Sequence, residues 1–300
     1  MKQLLVFTMS PRQSKYEAGR VEEEAIKKGI PIKRVLYKDL SFEMGEGKTK
    51  VFLGAEEINE NNTMGAWFRV AGTVSGRYVE GRNMFISLMQ DKFKCGNAEG
   101  YLRWARMGKI PQHALFVKNR IRVVPTKIFY TKDQVKDALE EMEKDFGWPI
   151  ICKHEKGYQG KSVFKLDNKK DLLKFLKGLE EIDLGLMLWQ KYLPSRWDLR
   201  VIVIDGKMVG AMKRSANGDE FRSNFSLGGG VEEWKISDED REMAERVAEV
   251  SGLDYCGVDL MKDEKGISYV LEVNRQCQFQ GFEKATGINV AERVIEMFLG

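Results

Sequence analysis

The sequence predicts a multi-domain chain that opens as an α/β layer and continues as α+β units. Three observations predict it. Residues 2–37 read strand, helix, strand, the usual opening of a helix-covered sheet. Beyond Val123 the apolar pattern switches between helical spacing and short strand runs, and the last third carries two hairpins with turn-forming dipeptides. The length, 300 residues, exceeds one compact core and fits two or three domains of roughly 100–200 residues each.

In chain order, residues 2–8 form a buried strand, Ser14 caps a helix over Lys15–Lys28 that Gly29 ends, and Ile32–Tyr37 is the next strand. Val51–Leu53 and Ala66–Val70 add short strands to the same sheet, with the polar, Asn-rich Glu56–Thr63 as a surface loop between them. This N-terminal domain takes residues 1–95, a central unit 96–189 and a C-terminal unit 190–300. Residues 97–120 are ambiguous apart from a helix over Gly100–Met107. Val123–Tyr130 reads as a strand, and Thr131 caps a helix with Val135, Leu139, Met142 and Phe146 at helical spacing. Pro149–His154 and Ser162–Leu166 form a strand pair, followed by an amphipathic helix over Lys170–Leu179. Leu199–Ile204 and Lys207–Lys213 flank Asp205-Gly206, a strong hairpin signal. Ser237, with Asp240 three residues on, opens a helix to Val250. Cys256–Met261 and Ile267–Val273 make a second hairpin around Lys265-Gly266, and Asn289–Phe298 is the last helix.

Composition excludes several classes. No apolar run approaches the roughly 20 residues that cross a bilayer, and the start, Met-Lys-Gln-Leu-Leu-Val-Phe-Thr, reads as a strand and not a signal peptide. A cytoplasmic, non-membrane protein is expected. The net charge of +4 is spread without a block of like charges and does not call for nucleic acid. Four cysteines and two histidines show no zinc spacing. Cys152 and Cys256, inside apolar runs, read as buried hydrophobes.

The last hairpin carries the most chemistry. Glu272 and Asn274, two apart on a strand, share a face, and a four-residue loop sets Asp259 opposite Val270 on that face. Two carboxylates and an amide carbonyl suit Mg²⁺; a solvated polar sheet face is the plainer alternative. Lys153 precedes the loop His154-Glu-Lys-Gly-Tyr-Gln-Gly160, which can cover phosphates. Gly160-Lys161-Ser162 is not the end of a P-loop, because Glu155 stands where that motif needs glycine and a strand follows. Lys213-Arg214, the Asp219–Asn224 stretch and Gly228-Gly-Gly230 add basic groups and close backbone approach.

Taken in order, Gln190-Lys-Tyr-Leu, Asp198-Leu-Arg200, Phe221-Arg-Ser-Asn224, Gly257-Val-Asp-Leu260, Leu271-Glu-Val-Asn274 and Gly281-Phe-Glu-Lys-Ala-Thr-Gly-Ile-Asn289 resemble the ATP-grasp superfamily, and within it the RimK-like carboxylate-amine ligases related to ribosomal-protein glutamate ligase. The resemblance covers nearly the whole chain and is strongest from Pro149 onward. It implies an ATP-grasp fold with two α+β subdomains clasping ATP behind an N-terminal domain. It also implies roles: Lys109 and Lys153 contact ATP phosphates, and Tyr158, Gln159 and Gly160 belong to the flap over them. Gln190, Lys191, Tyr192 and Leu193 read adenine, and Asp198 and Arg200 lie beside the ribose and reacting phosphate. Arg222 and Asn224 sit near an acylphosphate, and Asp259, Glu272 and Asn274 bind Mg²⁺, as two ions, with Mn²⁺ as a substitute. The implied reaction is ATP-dependent amide formation between a carboxylate and an amine, such as glutamate onto an amino acid, peptide or small metabolite, by an enzyme that can form homo-oligomers.

Departures from the pattern mark the acceptor side. Arg275-Gln-Cys-Gln-Phe-Gln-Gly281 replaces a small-residue turn, Lys191 stands where an acid is common, and Gly108 stands where an aspartate is common. Arg275, Arg214 and Arg69 are the candidate substrate arginines, with Arg77 and Arg82 near Arg69; for Arg275 a surface or structural arginine is the equal alternative, and a solvated loop is the plainer account of the N-terminal three. A phosphotransferase using the same nucleotide site, and a basic nucleic-acid-binding protein, are the competing readings.

Overall fold

The computed structural model describes residues 1–10, 12, 15–69, 76–155, 162–216 and 230–300. β1 (Gln3–Thr8), α1 (Lys15–Lys27) and β2 (Ile32–Leu36) reproduce the expected opening; Ser14, the expected cap, lies outside the described residues. Next, β3 (Leu40–Gly45), β4 (Lys48–Leu53) and β5 (Glu56–Ile58) form an antiparallel sheet of their own. Val51–Leu53 therefore does not join the first sheet. Glu46 and Gly47, at φ 42° and 75°, turn β3 back on β4 as a hairpin. Nor is Glu56–Thr63 all loop: Ile58 is buried with Val51 and Leu53, which pulls its polar neighbours into a strand.

β6 (Thr63–Phe68) and β7 (Lys94–Cys95) complete the parallel sheet, in the order β2-β1-β6-β7. Both of its faces are covered, as a parallel sheet requires. Leu4 and Val6 meet Ala18, Val21 and Ala25 of α1, while Leu5 and Phe7 meet Phe85, Ile86 and Met89 of α2 (Val79–Met89). The ambiguous stretch resolves into α3 (Ala98–Arg103) and α4 (Lys109–Lys118) in place of one helix over 100–107. Pro111 sits in the first turn of α4, where its missing N–H costs nothing.

The central sheet has the order β10-β9-β11-β8, from β8 (Thr126–Lys127), β9 (Ile150–His154), β10 (Val163–Leu166) and β11 (Met187–Lys191). β8 is far shorter than the expected Val123–Tyr130 strand, because Pro125 has no N–H for a ladder. Thr131 and Gln134 form a capping box on α5 (Lys132–Asp137), and α6 (Leu139–Phe146) and α7 (Lys169–Gly178) pack with it on one sheet face; the short α8 (Glu181–Leu184) leads into β11.

The C-terminal sheet is antiparallel in the order β14-β13-β12-β15-β16: β12 (Trp197–Ile204), β13 (Lys207–Ser215), β14 (Val231–Glu233), β15 (Tyr255–Lys262) and β16 (Ser268–Asn274). Asp205 and Gly206, at φ 51° and 73°, make the predicted tight turn. α9 (Asp238–Ser251), its Ser237 cap accepting from Asp240 N–H, covers one face together with α4. α10 (Gln280–Thr286), which the sequence reading missed, and α11 (Val290–Leu299) pack with α1. No helix among the described residues is long and apolar enough to cross a membrane.

Candidate functional site

The site grows out of the alternation of β12. Leu199, Val201 and Val203 point into the core under α9, and Ile202 and Ile204 point into the core shared with α1 and α11. On that second face, nearer the strand's start, stand Asp198 and Arg200. One strand face thus passes from apolar packing to charge within a few residues. Arg200 lies opposite Asp259 of β15, and Asp198 lies opposite Arg214 of β13.

These four side chains form an alternating charge chain. Arg200 donates to both carboxylate oxygens of Asp259, through Nε and, at 2.9 Å, Nη2. Arg214 donates to Asp198 from Nε and Nη2 at 2.6 and 2.8 Å, and its Nη2 also reaches Asp259 Oδ2 at 3.0 Å. Asp198, Arg214 and Asp259 are 4–5% exposed, so each charge depends on the others. Burial alone would push the Asp259 carboxyl up; Arg200 and Arg214 outweigh it and hold the carboxyl below its ordinary 3.8.

The partner of Asp259 across the last hairpin is Glu272, not the expected Val270. Asp259 pairs with Glu272 and Leu260 with Val270, which leaves Leu271 as the extra residue of a bulge. The correction brings the two carboxylates directly opposite each other. Asn274 Nδ2 reaches Glu272 Oε1 at 3.1 Å and Asp259 Oδ2 at 3.4 Å. Two carboxylates and an amide therefore converge, and turning the Asn274 amide over presents a third oxygen, a donor set that fits Mg²⁺. No group of three His, Cys, Asp or Glu suited to a metal exists among the described residues.

Two lysines enter from different elements. Lys109, the first residue of α4, places Nζ 3.4 Å from Glu272 Oε2. Lys153, on β9, feels Glu272, Lys109, Asp198 and Asp259. Burial, reinforced by Lys109, lowers its ammonium from 10.5 to about 8 despite the three carboxylates.

α4 is pinned by groups that the sequence reading missed. Gln112 exchanges two hydrogen bonds with the backbone of Val273 on β16, at 2.8 and 3.2 Å. His113 pairs Nδ1 with the Lys109 carbonyl at 3.0 Å, and its Nε2 accepts from Gln190 Nε2 at 2.9 Å. Burial drives the imidazole down to about 4, so the ring is neutral with its proton on Nδ1. Gln190 also donates to Thr126 Oγ1 at 2.8 Å, which joins α4, β8 and β11 in one buried polar network. The first-turn proline was the one signal that could have revealed α4.

Of the other expected residues, Lys191 ends β11 and is exposed, Tyr192 lies 5.3 Å from the Lys165 ammonium, and Leu193 is buried. Tyr158, Gln159, Gly160, Arg222 and Asn224 lie outside the described residues. The candidate substrate arginines all have partners within the protein, and Arg275 takes the structural alternative. Arg214 is spent on Asp198 and Asp259. Arg275 donates to the carbonyls of Trp104 at 2.5 Å and Ala105 at 2.9 Å, just past the end of α3, and stacks on Tyr101. Arg69 and Arg82 are buried, not solvated. Arg69 holds the Gln276 and Cys277 carbonyls and faces Trp67, while Arg82 lies 3.8 Å from the Tyr101 ring centre and reaches the Ala105 carbonyl. Backbone carbonyls and aromatic faces, which no sequence spacing displays, take these cations.

Comparisons with known proteins show the family and the fold. The family model described as the RimK-like ATP-grasp domain matches residues 107–298. A protein named probable alpha-L-glutamate ligase from Rhodopirellula baltica is 28% identical over 298 residues, covering 98% of this chain and 70% of that one. Another of that name, from Aliivibrio fischeri, is 28% identical over 294 residues, covering 96% and 93%. Among solved structures, ATP-grasp ligase PsnB complexed with a phosphomimetic variant of its minimal precursor, Mg and ADP superposes with a TM-score of 0.77 at 20% identity, over 99% of this chain and 97% of that one. A RiPP-associated ATP-grasp ligase from Chryseobacterium gregarium, in complex with ADP and a leader and core peptide, gives 0.75 at 16%, over 100% and 97%. The α+β architecture is the ATP-grasp fold.

Proposed function

The chain belongs to the RimK-like ATP-grasp family and is a carbon–nitrogen-bond-forming ligase, and from that premise we propose that it activates a carboxylate with ATP as an acylphosphate and passes the acyl group to an amine. The observation that carries this reading is Lys109 at 3.4 Å from Glu272 on the Asp259–Glu272–Asn274 hairpin, with Lys153, from a separate element, near enough to feel the charges of Glu272 and Asp259. Two lysines beside an oxygen-rich cation site are the complement of a polyphosphate with its divalent ion.

In this reading a carboxylate oxygen of the acid attacks the γ-phosphorus, the bond to the bridging oxygen breaks, and ADP leaves with that electron pair. The amine then attacks the acyl carbon, the carbon–oxygen bond to phosphate breaks, and the amine proton passes to solvent. Lys109 and Lys153 orient the phosphates, Gln190 to Leu193 line the adenine, and Asp198 flanks the ribose. Arg200, with Arg222 and Asn224 by resemblance, offsets the charge of the oxyanion. Mg²⁺ held by Asp259, Glu272 and Asn274 would supply neutralisation of phosphate charge. No side-chain nucleophile is needed, and the thiols of Cys95, Cys152, Cys256 and Cys277 are all raised by burial.

Relatives named as glutamate ligases support glutamate as the added amino acid. Solved neighbours holding precursor peptides support a peptide as the second substrate. The test is Mg-ATP turnover, read as ADP and free phosphate, across pools of amino acids, dipeptides and dicarboxylic acids. Turnover that needs both an acid and an amine and disappears in Asp259→Ala is expected. ADP formed without any amine, with phosphate left on the acid, would make the enzyme a phosphotransferase instead.

A further inference from the structure

α4 begins without a cap of its own. Its N-cap is Gly108, extended at φ −81° and ψ 179°, and it has no side chain to accept the first-turn N–H groups. The acceptor comes from elsewhere: Glu155 Oε2 takes the Ile110 N–H at 2.6 Å. Glu155 stands two residues past Lys153, and its own N–H is fixed to the Leu186 carbonyl at 2.7 Å. A Cβ on Gly108 would run into the Glu155 carboxylate, so the glycine leaves open the place that a neighbouring side chain fills. Gln112 ties α4 to β16 and His113 ties it to β11. Of these ties, Glu155 alone joins the Lys109 helix to the Lys153 strand, and it acts on the turn that contains Lys109.

Resting on the nucleotide reading above, we propose that Glu155 is a positioning residue: it caps α4 across the cleft and sets Lys109 and Lys153 at the spacing that polyphosphate binding requires, with Gly108 as the residue that admits it. An ordinary N-cap stabilises its own helix; this one also couples two phosphate-facing elements.

The experiment is calorimetric titration of the full chain with Mg-ADP, which needs no knowledge of the acid or amine. Glu155→Ala is expected to bind about fivefold more weakly, the scale of one lost cap. Glu155→Gln keeps an acceptor oxygen and is expected within about twofold of the parent. The decisive variant is Glu155→Ala combined with Gly108→Asp. An aspartate there restores a local cap once the collision is gone, so the pair binds more tightly than Glu155→Ala alone. Gly108→Asp in the presence of Glu155 is expected to weaken binding. Unchanged or tighter binding by Glu155→Ala overturns the proposal, as does a pair no better than the single variant. Failure of the parent itself to bind Mg-ADP would refute the nucleotide reading, a separate outcome.

Discussion

Lys153 offers the sharpest quantitative handle on the nucleotide reading. Burial, with Lys109 beside it, takes the ammonium from 10.5 down to about 8, a gap worth roughly 3 kcal/mol at 1.36 kcal/mol per tenfold. The sign follows from linkage. A lysine lowered in the folded state binds fewer protons than in the unfolded chain between those two values, so its penalty is full below about pH 8 and fades as pH rises toward 10.5. Phosphate oxygens placed against Nζ favour the ammonium and return it toward its ordinary value. Mg-ADP binding must then take up a proton: about one half at pH 8, about one tenth at pH 7 and about nine tenths at pH 9. Titration calorimetry in two buffers of different ionisation enthalpy measures that number directly. Lys153→Arg, charged throughout, should bind with no uptake. Equal heats in both buffers at pH 8 for the parent protein would refute the argument, either because Lys153 is fully charged beforehand or because no phosphate reaches it.

Three other outcomes follow from the same geometry. Arg214→Ala leaves Asp198 and Asp259 short of a buried counter-charge and should cost about 3–5 kcal/mol in denaturant unfolding; a loss under 1 kcal/mol would mean that the charge chain relaxes into solvent. Gly257→Ala puts a Cβ 2.8 Å from both Arg200 Cδ and Cys277 Cβ. It should cost about 1–3 kcal/mol of overpacking and cut turnover more than about tenfold by moving Arg200, with circular dichroism unchanged; full activity would show that Arg200 needs no such wall. His113, lowered to about 4, should show the neutral Nδ1–H ring in nitrogen-15 spectra from about pH 5 to 8, and an imidazolium signal near pH 6 would contradict its hydrogen-bond assignments.

Local chemistry was readable where it is self-contained. The Asp205-Gly206 turn, the Thr131 and Ser237 caps and the period-two face of Glu272 and Asn274 follow from a few adjacent residues, and the structure keeps them. What was misread depends on distant partners. The bulge at Leu271 changes the residue facing Asp259, and it arises because Val270 and Val273 both reach the core under α9. The sequence left Arg275 open between a substrate contact and a structural arginine because nothing in its neighbourhood along the chain announces the Trp104 and Ala105 carbonyls about 170 positions away. α4 went unseen for the same reason. Its polar face, Gln112 and His113, is buried against β16 and β11, so its pattern is not that of an amphipathic surface helix.

Activation of a carboxylate by ATP leaves one carboxylate oxygen on the released phosphate. The most direct measurement uses an acid whose carboxylate carries heavy oxygen, with Mg-ATP and the amine identified by turnover, and follows the label by mass spectrometry. One labelled oxygen is expected in the released phosphate for each amide formed, with ADP unlabelled. Label in AMP, or phosphate free of label while amide accumulates, would contradict it.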